Sequence, residues 1–65
     1  MNYFTESLVV NESAEVVEDC DSVKGDYFYL KKGAIVKIRS KVGEYLEIKN
    51  QKFIGYFPTK ALKLL

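Results

Sequence analysis

At 65 residues, 48% of them apolar, the chain holds one domain with enough hydrophobic mass for a core, which excludes a solvated disordered tail. A lone cysteine and no histidine exclude an internal disulfide and argue against a zinc site, and no apolar run reaches the roughly 18 residues of a membrane-spanning helix. The net charge of +1 conceals a segregation: residues 1–26 carry seven acids against Lys24, and residues 27–65 carry nine bases against Glu44 and Glu47. Such a division predicts either a dipolar surface or neutralisation between neighbouring strands.

Residues 1–13 are read as an N-terminal extension, ahead of a domain spanning 14–65. Tyr3, Phe4, Leu8 and Val9 have spacing compatible with a short amphipathic helix, the β-branched Val9-Val10 also suit a strand, and a further alternative is an irregular arm docked on the domain; Asn11-Glu12-Ser13 reads as a turn-like break. Ala14–Cys20 predicts a strand centred on Val16 and Val17, and Asp19–Asp26 a long acidic loop. Tyr27–Leu30 alternates, and Lys31-Lys32-Gly33 reads as a tight turn. From Ala34 to Lys41, Val36 and Ile38 face one way while Lys37, Arg39 and Lys41 face the other. Tyr45–Lys49 repeats the alternation, Leu46 and Ile48 against Tyr45, Glu47 and Lys49, and Asn50-Gln51 turns the chain into a last long strand. In that strand Gly55 marks a close backbone approach or a bend, and Pro58 ends it by removing a ladder donor. Short strands with closely spaced turns predict an all-β fold, a small five-stranded antiparallel barrel.

Two segments, Leu30-Lys31-Lys32-Gly33-Ala34-Ile35-Val36-Lys37-Ile38 and Gly55-Tyr56-Phe57-Pro58, stand at the separation found in Src-homology-3 (SH3) domains, which residues 14–65 resemble. The resemblance implies a core of Val16, Phe28, Leu30, Val36, Ile38, Ile48, Phe57 and Leu62. It implies a non-catalytic adaptor or scaffold module for a protein or peptide partner. Members of that family commonly bind proline-rich segments on a shelf of aromatic rings. Here Glu18, Cys20 and Ala61 stand where three shelf tyrosines belong, and Tyr45 stands for the usual tryptophan. The peptide-groove remnant is therefore Tyr45 and Pro58, with Asp21, Asp26 and Tyr27 of the acidic loop. Partners other than standard Pro-x-x-Pro motifs are expected. The run Cys20–Gly25 is also similar to helically extended members of the family.

Two alternatives belong to other classes. Lys37, Arg39, Lys41 and Lys49 form an anionic-surface candidate for acidic phospholipid, against an ordinary solvated face. A bacterial SH3-like cell-wall-binding domain is the other. No histidine, phosphate-cradling loop or nucleophile beside a base is present, so no enzymatic activity, metal or cofactor is expected. Cys20 reads as a small buried hydrophobe. The expectations are completed by a monomer in the cytoplasm, without a secretion leader and without a nucleic-acid partner.

Overall fold

The computed structural model describes residues 12–65, and they are all-β. Eight short strands follow one another: β1 (Glu12–Val16), β2 (Cys20–Asp21), β3 (Lys24–Gly25), β4 (Tyr29–Leu30), β5 (Ile35–Val42), β6 (Tyr45–Asn50), β7 (Phe53–Pro58) and β8 (Leu62–Leu64). A 3-10 turn, Thr59–Ala61, joins the last two. The β5–β6–β7 meander is the frame, with β1 and then β8 added at one side and β3 at the other, all antiparallel; β2 and β4 form a separate two-stranded sheet.

This corrects the expectation of a five-stranded barrel. The six-stranded sheet runs β3-β7-β6-β5-β1-β8, and its outer strands do not pair with each other, so the ladder stays open. The physical reason is local. The predicted strand Ala14–Cys20 ends at Val16, because the Val17 N–H turns to the Ala61 carbonyl at 2.7 Å. Cys20 then pairs in β2 with Leu30. Glu12 and Ser13, read as part of a break, are instead the first residues of β1, opposite Ile38 and Lys37. The expected helix or docked arm over the preceding residues lies outside the described part of the chain.

The core is nonetheless single. Ala14, Val16, Leu30, Ile38, Leu46, Ile48, Phe57, Ala61 and Leu62 are buried, with Cys20, Phe28, Ala34, Val36 and Leu64 packed against them. Phe28 meets the Phe57 ring edge-on at 5.1 Å, an arrangement that adds to area burial. Phe28 and Val36, expected in the core, lie at its margin and are half-buried. Ala14, Leu46 and Ala61 complete it.

One irregularity decides the outer face. The β5–β6 register shifts between Ile38 and Ser40, a β-bulge. Before it, Ile38 opposes Ile48; after it, Ser40 opposes Glu47 and Lys41 opposes Leu46. Directly opposed residues share a face. Lys41 therefore lies on the face of buried Leu46, half-buried, with its ammonium donating to the Gly43 carbonyl. The alternation that places Lys37, Arg39 and Lys41 together breaks at that bulge.

Candidate functional site

The acidic loop is tied down at Asp19, Asp21 and Asp26. Asp26 grips β7 twice: its N–H donates to the Ile54 carbonyl and its Oδ2 accepts from the Ile54 N–H, both at 2.9 Å. The Val23 N–H donates to the Tyr56 carbonyl at 2.8 Å. Within the loop, Ser22 Oγ donates to the Asp26 carbonyl at 2.8 Å and accepts from the Phe28 N–H at 3.1 Å. Asp21 accepts from the Tyr27 hydroxyl at 3.0 Å, which pushes that phenol's pKa up. Asp19 accepts from the Lys32 backbone N–H at 2.6 Å. Tyr27, at 73% exposure, projects from the loop as a solvent-facing ring.

The Asp19 contact has a pH signature. The Lys32 N–H first, then the Tyr29 hydroxyl, hold the Asp19 carboxyl below its ordinary pKa. Because the folded pKa is depressed, this stabilisation is present above the unfolded value, about 3.9, and is lost as pH falls through the folded value. Asp19→Ala is expected to melt lower than the parent at neutral pH, with the two melting curves converging under acid. A constant gap from pH 7 down to about 2 would remove Asp19 from the acid response.

The peptide-groove residues are brought together only in part. Tyr45 and Pro58 are direct partners across β6 and β7. With Val23, Glu44, Thr59 and Lys60 they line a groove of about 330 Å³. The Thr59 N–H donates to the Glu44 carbonyl at 3.0 Å, which holds the 3-10 turn against the β5–β6 turn and shapes the groove's end. Tyr45 is 44% exposed and Val23 56%, so the groove has an aromatic and an aliphatic wall. Asp21, Asp26 and Tyr27 do not line it. Val23, which the sequence reading passed over, does; its exposure depends on the docking of the loop onto β7.

The three positions lacking shelf tyrosines differ in kind. Glu18 is exposed, whereas Cys20 is half-buried opposite Leu30 and Ala61 is fully buried. Burial and then the neighbouring Glu18, Asp21 and Asp19 charges push the Cys20 thiol up, so it stays protonated as a small apolar filler. A tyrosine at Ala61 would overpack the core rather than extend a shelf.

On the basic face, Arg39 Nε sits 3.7 Å from Glu47 Oε1. The same carboxylate accepts from Ser40 Oγ at 3.0 Å and from the Tyr56 hydroxyl at 2.8 Å, so Glu47 gathers three strands. Lys63 approaches Glu15 at 3.8 Å, a second neutralising pair between neighbouring strands. Lys37 and Lys49 are exposed and line a different groove from the Tyr45–Pro58 one. Among the described residues no group of three or more His, Cys, Asp or Glu is arranged to hold a metal ion, and no helix is long and apolar enough to cross a membrane. Compared with family models, curated proteins and solved structures, the chain matches none.

Proposed function

We propose that this domain is a non-catalytic protein-interaction module with an atypical SH3-like binding surface, taking its partner at the Tyr45–Pro58 groove. The observation that carries the reading is the concave site itself, where an exposed tyrosine and a proline are placed side by side by the β6–β7 register. Exposed tyrosine beside a rigid apolar neighbour is the pairing that interfaces favour. The groove lacks the further aromatic walls of a proline shelf, since Cys20 and Ala61 face the core. Each missing wall removes apolar contact with a proline ring, and exposed acidic loop residues return only about 0–1 kcal/mol per charge pair. Basic Pro-x-x-Pro peptides are therefore expected to bind more weakly than about 1 mM.

The test is selection of peptides from an unbiased display library, followed by amide-shift titration of the labelled domain. Selected ligands should shift Val23, Glu44, Tyr45 and Thr59, and Tyr45→Ala should weaken them about tenfold, the cost of removing a central aromatic anchor. A library that yields only Pro-x-x-Pro ligands, saturating at micromolar concentration, would restore the ordinary groove. A library that yields no ligand for these residues sinks the module reading. The basic stripe is not a continuous surface for such a partner, because Arg39 is paired with Glu47 and Lys41 belongs to the other face.

A further inference from the structure

The ladder between β5 and β6 ends at the Ile38 and Ile48 pair. On one side of that point residues 35–37 pair with β1, and on the other Lys49 and Asn50 pair with β7. The two strands diverge there, opening a groove of about 470 Å³ whose remaining wall is Tyr29–Lys31. Its lining shares no residue with the Tyr45–Pro58 groove. Lys31, Lys37 and Lys49 stand around it, and among the described residues no carboxylate lines it. Between the lysines lie exposed apolar side chains: Ile35 is 59% exposed and Tyr29 51%, over the half-buried Val36.

We propose that this second groove docks an acidic peptide segment in extended conformation, with aliphatic or aromatic side chains spaced between its carboxylates. Three requirements meet in that occupant. Lys31 and Lys49 call for negative charge, and among the described residues the lining holds cations and no acid, a single sign that steers association and selects against basic chains. Ile35, Tyr29 and Val36 call for apolar side chains, since a free carboxylate alone leaves them wet. The divergence of two strands gives a slot bounded by strand backbone, the shape that an added extended chain fills. A bilayer surface meets protruding cations on a flat or convex face and cannot enter a slot between strands. An extended peptide can.

The experiment uses the whole chain, isotopically labelled, and a capped synthetic peptide alternating glutamate with leucine and phenylalanine. A control peptide carries lysine in place of each glutamate. Saturable shifts on Tyr29, Ile35, Lys49 and Asn50 are expected with the acidic peptide alone. The affinity should fall several-fold between low salt and about 0.15 M, where screening acts over roughly 8 Å. Lys31→Glu with Lys49→Glu should weaken binding about tenfold or more, the result of two attractions turned into repulsions. Ile35→Ser, at an exposed position, should weaken it about threefold while leaving the melting temperature within a few degrees. Should the double reversal unfold the domain, Ile35→Ser and Lys49→Gln carry the same comparison singly.

Absence of saturation, equal binding of the basic control, or unaltered binding by the variants would each overturn the proposal. Vesicles of mixed phosphatidylserine and phosphatidylcholine form the remaining arm. Lysine-dependent retention on these vesicles, with no response to the peptide, would replace the acidic segment with a membrane surface and so overturn it. Because the two grooves share no residue, Tyr45→Ala should leave this binding intact even if it removes partners of the first groove.

Discussion

Phe57→Ala is expected to leave most molecules unfolded at room temperature. Phe57 is fully buried, sits opposite buried Leu46 in the β6–β7 ladder and receives the edge of Phe28. Removing it loses the transfer energy of the ring, leaves a cavity in the core and takes from Phe28 the nearer of the two rings it meets, Phe53 lying at 6.4 Å. Phenylalanine truncations of this kind cost about 3–5 kcal/mol. A core of this size supplies a total stability of only about 3–5 kcal/mol. Ile38→Ala, also fully buried, should cost about 2–5 kcal/mol for the same reason. Amide dispersion and thermal unfolding would check both. A Phe57→Ala protein melting within a few degrees of the parent would show that the core is not organised around that ring.

The second large effect is expected at the glycines beneath the acidic loop. Gly25 and Gly55 face each other across β3 and β7. A Cβ on Gly55 would lie 2.9 Å from the Asp26 carbonyl oxygen, from Ser22 Cβ and from Phe28 Cε1. A Cβ on Gly25 would lie 2.6 Å from the Ile54 carbonyl oxygen, on a residue whose φ is +82°. The Ile54 oxygen cannot yield without breaking its hydrogen bond from the Asp26 N–H, nor the Asp26 oxygen without breaking the one from Ser22 Oγ. Either alanine substitution should therefore cost about 1–3 kcal/mol, and Gly25→Ala adds about 1 kcal/mol for its left-handed backbone. Gly33→Ala is the control, since its φ is +95° but nothing lies within 4 Å of the added carbon. It should cost the backbone term alone. Hydrogen exchange at Val23 and Asp26 should quicken in the first two variants and not in the third. Loss of loop docking would also remove Val23 from the Tyr45–Pro58 groove, so binding there should weaken in parallel. Protection of the loop amides left unchanged in Gly55→Ala would overturn the docking account.

These two effects differ in how far they can be read before folding. The inward positions of Ile38, Leu46, Ile48 and Phe57 follow from strict alternation, because a strand's side chains change face at every residue and one face must bury its apolar set. Gly55 in an otherwise bulky strand announces a close approach for the same local reason. The turn at Lys31–Gly33 is likewise local chemistry, and Gly33 adopts the positive φ that only glycine takes freely.

What the tertiary structure decided is everything that depends on which backbone groups meet. The bulge after Ile38 is a shift of register between two strands, and no residue of β5 advertises it; it moves Lys41 to the inner face. Asp26 reads as one more acid in a solvated loop, yet its partner Ile54 lies 28 positions away, a pairing that composition cannot encode. Ala14 and Ala61 are too small to register as core in a hydrophobic pattern, and become core because β1 and β8 close over them. The open sheet and the groove where β5 and β6 part are of the same origin. Alternation dictates a strand's faces from its own residues, whereas the place where two strands stop pairing is set by the neighbours that claim them, β1 for one and β7 for the other.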